Sequence, residues 1–102
     1  MPTKTSLNNA IATATKQRRI LLFDYHGHLR SVEPHLYGVQ AASAREILYG
    51  YQIGGTSDSR DLPSWRSFYV EDITHLRVTE ALFIPQGYMP AEPRVSEVFA
   101  RA

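Results

Sequence analysis

The sequence predicts a mainly β domain with one N-terminal helix, its strands gathered into a small, strongly bent sheet or barrel. Three observations predict it. Helical apolar spacing near the N-terminus stops before the first strand-like run. From Arg19 onward, short β-branched and aromatic runs follow one another, separated by Gly, Pro, Ser and Asp. A chain of 102 residues, 43% hydrophobic and 21% charged, supports one domain with one modest core.

Leu7, Ala10, Ile11 and Ala14 fall at i, i+3, i+4 and i+7, a narrow helical stripe. Lys16, Arg18 and Arg19 follow it, where the helix dipole favours cations. The stripe is rich in alanine, so the helix must lie close against a sheet to persist. "RILLFDY" then reads as a strand, "HGH" as a turn through Gly27, and "LRSVEPH" as the returning strand. Pro34 cannot donate to a ladder, so it marks an edge, a bulge or a strand end. "LYGV" continues after a bend, and "QAASARE" is a connection.

"ILYGYQI" is the next strand, with Ile47, Tyr49, Tyr51 and Ile53 on one face and Leu48, Gly50 and Gln52 on the other. Gly50 inside it signals a bend or a close backbone approach. A long polar loop, "GGTSDSRDLPS", leads into "WRSFYVEDI", which places Arg66, Phe68 and Val70 on one side. "THLRVTEALF" alternates through Leu76 and Val78 as a further strand. Beyond Phe83, "IPQGYMPAEP" is extended, and "RVSEVFARA" reads as a short C-terminal helix with Val95, Val98 and Phe99 as its stripe.

Composition excludes several functions. Without cysteine there is no disulfide, no thiolate metal site and no thiol catalysis. No run approaches the ~18 apolar residues of a membrane span. "MPTKTSLNNA" lacks the apolar stretch of a signal peptide, so a cytoplasmic location is expected. Residues 1–32 carry five cations against one carboxylate, a net +4, and the remainder six arginines against nine carboxylates, a net −3. That basic third either attracts phosphate or is a solvated helix end with scattered strand charges.

A helix followed by "ILLFDY", "LRSVEP", "ILYGYQ" and "WRSFYVEDITHLRV" resembles the WYL domain, a bacterial module often joined to helix-turn-helix regulators. The matching features are Tyr25 closing the first strand, Arg30 and Pro34 in the second, the Gly50-Tyr51 pair, and Arg66, Phe68 and Val70 leading to Ile73. The name-giving Trp-Tyr-Leu is Glu46-Ile47-Leu48 here, and two positions usually basic in the family are Tyr69 and Asp72. The resemblance implies an Sm/SH3-like barrel over residues 1–83, a Pro-containing tail over 84–102, and a sensory or regulatory role. The long Gly/Ser loop and "LPSWR" resemble a standalone subgroup of short WYL-like proteins, and with one helix before the first strand no helix-turn-helix is expected.

Five residues are candidates for contacting a ligand. Arg66 offers a planar fork of donors suited to phosphate or carboxylate, and it shares a face with Phe68 and Val70. Its alternative is a structural ion pair with Glu46, Glu71 or Asp72. Trp65 and Tyr51 form an aromatic platform beside Arg66 on which bases would stack, or else Trp65 plugs the barrel mouth. Arg30 and Tyr25 flank the first hairpin and add a charge and a hydroxyl, or are a surface arginine and a core tyrosine. His26 and His28 straddle Gly27 in a turn, with no acidic residues completing a metal set. "GGTSDS" lacks the Lys and helix of a P-loop, and no serine sits in a nucleophile elbow.

The expectation is therefore a non-enzymatic regulatory module without a cofactor. It senses a small anionic ligand or a single strand of nucleic acid through Arg66, Arg30, Tyr25, Tyr51 and Trp65, and it acts through a regulatory protein partner or a homodimer. The competing expectation is a protein–protein interaction module using Tyr88, Met89, Val98 and Phe99 of the tail.

Overall fold

A computed structural model of the chain describes residues 4–55, 63–89 and 92–102. The fold is mainly β with one N-terminal helix, α1 (Lys4–Gln17), laid across an antiparallel sheet. Its strands are β1 (Arg19–Tyr25), β2 (His28–Gln40), β3 (Glu46–Gly55), β4 (Ser64–Tyr69), β5 (Ile73–Leu82) and β6 (Val95–Arg101). Residues 56–62 of the polar loop lie outside the described residues. No described helix is long and apolar enough to cross a membrane.

Helix α1 turns its Ile11 and Ala14 fully into the core, with Leu7 packed against the same cluster. Thr15 is buried beside them because its hydroxyl donates to the Ile11 carbonyl at 2.8 Å, which leaves no unpaired polar group. Arg18 takes a left-handed φ of 58°, ending the helix and swinging the chain into β1. Its carbonyl accepts the Phe83 N–H at 3.0 Å, so the end of β5 is pinned to the end of α1.

Strand β1 alternates as period 2 requires, with Leu21, Phe23 and Tyr25 inward. Phe23 meets Phe68 edge to face at 5.1 Å, and both are essentially fully buried. The same core receives Val32 and Tyr37 from β2, Leu48 from β3, and Val70, Ile73 and Ala100. Burial of each such large side chain contributes ~1.5–3 kcal/mol.

The sheet runs in the order β4-β3-β2-β1-β5. A 3-10 turn over Val70–Asp72 joins β4 directly to β5, the two ends of this path. Among the described residues no ladder links those two strands, so the sheet is open and bent rather than closed on itself. The long strand β2 makes the bend. Its first part, His28–Val32, pairs with β1, and its last part, Leu36–Gln40, pairs with β6.

The expected C-terminal helix is a strand. Val95–Arg101 forms β6, antiparallel to β2. Its β-branched and aromatic residues suit a strand, and the end of β2 beyond β1 would otherwise present unpaired backbone groups. Two register shifts in the β2–β6 pairing break the alternation, and that irregular spacing imitates a helical stripe. Gly38 permits the close pairing, because a β carbon there would overlap the Glu97 carbonyl. The 84–102 tail is thus tied into the same sheet as the rest of the chain.

Candidate anion-binding rim

The sheet has two faces, and the candidate residues divide between them. The β3–β4 pairing is unshifted, placing Gly50 opposite Arg66 and Tyr51 opposite Trp65. Successive side chains point to opposite faces. Arg66 therefore lies on the core side with Leu48, Gln52 and Phe68, while Tyr51 and Trp65 lie on the other. The aromatic pair expected beside Arg66 is next to it in β4 and β3 but points to the opposite face.

On the core side, Arg30 is only 7% exposed. Its Nη2 donates to the Tyr25 carbonyl at 3.1 Å and its Nη1 to Gln52 Oε1 at 3.4 Å. The guanidinium carbon lies 5.7 Å from the Tyr25 ring centroid and 6.0 Å from that of Phe68, within the range of cation–π attraction. Arg30 is thus no surface arginine, and Tyr25 is a core tyrosine that touches it. Gln52 is fully buried and donates through Nε2 to the Gly54 carbonyl at 3.1 Å, which fixes its oxygen toward Arg30.

The Tyr25 hydroxyl accepts the Tyr69 N–H at 3.0 Å. Burial pushes its pKa up, so the phenol remains protonated across the neutral range. Its ring stacks on His26 at 4.1 Å and meets Phe68 edge to face at 5.0 Å.

Arg66 is half-buried on β4, an end strand of the sheet path. Its Nε–H donates to Ser64 Oγ at 3.2 Å. Gly50 lies opposite it, and a β carbon there would come within 2.6 Å of Val32 Cγ1 and 2.7 Å of the Glu33 carbonyl oxygen. The three acids proposed as its structural partners are engaged elsewhere. Glu46 accepts the Tyr37 hydroxyl at 2.6 Å, Glu71 pairs with Arg45, and Asp72 pairs with Arg45 and His26. Among the described residues no carboxylate lies within ion-pair distance of Arg66. The chain matches no family model, no curated protein and no solved structure.

The other face carries an aromatic cluster centred on Trp65. Its ring stacks near-parallel on Tyr49 at 5.2 Å, lies 5.1 Å from Tyr51, and meets His35 edge to face at 4.7 Å. The cluster thus holds Tyr51 beside Trp65, together with the buried rings of Tyr49 and His35. Tyr49 was legible, since it alternates with Tyr51 along β3. His35 was not, because nothing in "EPH" says which face a bulged residue will take. Gln52 was likewise missed; its signal was a single amide on the apolar side of "ILYGYQI".

The remaining histidines belong to the turn edge. His26 and His28 lie on either side of the β1–β2 turn, His26 beside Asp72 and His75 beside Asp24. Among the described residues no three His, Asp or Glu side chains gather in metal-binding geometry.

Proposed function

We propose that the protein is a non-enzymatic binding module of WYL type that captures a phosphate-bearing ligand, nucleotide or single strand, at the rim marked by Arg66. The observation that carries this reading is the Arg66 guanidinium: half-buried, bonded to Ser64 Oγ, and without a carboxylate partner among the described residues. A fork of donors held in partial burial attracts an oxyanion more strongly than one in open water. Arg30 lies on the same side of the sheet, buried among Tyr25, Gln52 and Phe68. Because β4 ends the sheet path, a strand of nucleic acid can pass from Arg66 on one face to Tyr51 and Trp65 on the other.

An Sm/SH3-like reading of the architecture is supported by the helix before β1, the order β4-β3-β2-β1-β5, and the 3-10 turn between β4 and β5. Regulation would then pass to a protein partner or a second copy. The test is fluorescence titration with labelled single-stranded oligonucleotides and with free nucleotides, at low and moderate salt. Wild type is expected to bind in a salt-dependent way. Arg66→Ala is expected to weaken binding about 10–100-fold, the value of one charge-assisted hydrogen bond to an anion. Equal binding by both proteins, or by neither, refutes the site.

A second reading rests on exposed apolar side chains. Leu82, Ile84 (87% exposed) and Tyr88 (77% exposed) follow one another from the end of β5 into the tail. They suit a protein-interaction or dimer surface. Val98 and Phe99, expected in that surface, are also exposed, with the Phe99 ring 5.0 Å from that of Tyr37. Sedimentation of wild type and Ile84→Ser decides this reading: a dimer lost in the variant supports it, and a monomer in both removes self-association.

A further inference from the structure

His35 is the extra residue of a bulge in β2. Pro34 pairs with Gly50 and Leu36 with Tyr49, leaving His35 with no β3 partner. The bulge frees its carbonyl to accept the N–H of Ala102 at 3.0 Å. It also seats the imidazole, 2% exposed, among Trp65 at 4.7 Å and Phe83 at 5.2 Å. Both ring nitrogens are engaged. Nδ1 lies 2.8 Å from the Glu33 carbonyl, which can only accept, so Nδ1 carries the proton. Nε2 lies 3.0 Å from the backbone nitrogen of Gln86, which can only donate, so Nε2 is bare. One residue thus holds both ends of the C-terminal excursion, and one of its holds requires a neutral ring.

We propose that His35 is the pin of a pH-sensitive latch, holding residues 83–89 on the aromatic face while neutral and releasing them when Nε2 is protonated. A proton on Nε2 would point at the Gln86 N–H, donor against donor, inside a buried pocket. The release would open the His35 pocket on the face opposite Arg66, and its readouts at His35 and Gln86 need no ligand at the rim.

The groups around the ring set the direction of its titration. Burial lowers the His35 pKa, and the Glu33 carbonyl and carboxylate oppose it more weakly. From β4 the ring is approached by Trp65, which does not titrate and on which Tyr49 of β3 stacks. From the tail come Phe83 and Gln86, whose Nε2 donates to Glu33 Oε1 at 3.4 Å. Glu92, which acts on Tyr49, is paired with Arg101 of β6. A lowered pKa makes the latch fully closed above about 6.5, and it loosens as pH falls from there through the value of the folded ring.

The test is NMR on the full chain, following the His35 ring shifts and the exchange protection of the Gln86 amide from about pH 7.5 to about pH 5. Gln86 protection, corrected for intrinsic exchange, is expected to fall by up to about tenfold per pH unit between 6.5 and the ring's own midpoint. Core amides of Phe23 and Leu48 are expected to keep theirs. In His35→Phe the Gln86 amide should be unprotected at both ends of the range. In Gln86→Pro, which removes the donor and leaves the histidine, the ring midpoint should move up toward 6.5. The latch is overturned if His35 titrates while Gln86 stays protected. It is equally overturned if Gln86→Pro leaves the midpoint in place, or if His35 takes no proton before the core amides open.

Discussion

The Tyr25 hydroxyl accepts the backbone N–H of Tyr69 at 3.0 Å, joining the end of β1 to the end of β4 across 44 positions of sequence. These strands share no ladder among the described residues. The contact therefore fixes how far the open sheet curls, and with it the spacing between Arg30 and the β4 rim. Tyr25→Phe keeps the ring among His26, Phe68 and Arg30 but leaves the Tyr69 N–H without its acceptor. The expected loss is ~0.5–1.5 kcal/mol in urea unfolding, the net value of one hydrogen bond to a part-buried donor. Unchanged stability would show that the bond does not brace the curl.

Phe68 is the hub of the core, touching Phe23 and Tyr25 edge to face and lying beneath the Arg30 guanidinium. Phe68→Ala is expected to cost ~3–5 kcal/mol, measured by thermal or chemical unfolding. Phe68→Leu, which refills much of the cavity, should recover most of it.

At Gly38 the constraint is backbone against backbone. A β carbon would overlap the Glu97 carbonyl, so Gly38→Ala must push β6 away from β2. Hydrogen exchange should show lost protection in 95–101 with the β1–β2 hairpin intact. Equal protection in the variant would mean that β6 can shift to accommodate the methyl group.

High pH tests the tyrosines. Burial raises the pKa of Tyr37, and the Glu46 carboxylate that accepts its hydroxyl raises it further. Tyr25 and Tyr49 are also raised, first by burial. The folded state holds these protons longer than the unfolded chain does. Their contribution is therefore full below about pH 10 and lost as pH rises above it toward the folded values. Phenolate absorbance should develop in at least two stages, the later one coinciding with unfolding. A single transition near pH 10 in the folded protein would contradict the burial of these rings.

The β1–β2 turn at Gly27 was legible from one residue's backbone chemistry. Pro34 signalled an edge, a bulge or a strand end, and Gly50 a bend or a close approach. The outcomes are a bulge at His35, just after Pro34, and a close approach at Gly50. The C-terminal strand was not, since the register shifts in its pairing with β2 disguise its alternation, and pairing with β2 is a long-range choice no local window contains. Arg66 could be placed on the face of Phe68 by counting alternate residues. Whether an acid reached it could not be counted, because Glu71 and Asp72 are neighbours in sequence yet turn through the 3-10 segment to meet Arg45. The grouping of Trp65 with His35 depended on a bulge whose aim only the packed structure reveals.

The central claim is that Arg66 receives an anion. The most direct measurement is a two-dimensional NMR titration of the nitrogen-labelled protein with a short single-stranded oligonucleotide, observing the Arg66 Nε–H together with the backbone amides. The account predicts saturable shifts at Arg66 Nε–H and at Gly50, Gln52 and Ser64 beside it, suppressed by added salt. Saturable shifts confined to the exposed stretch from Leu82 to Tyr88, with the Arg66 Nε–H signal unmoved, would contradict it.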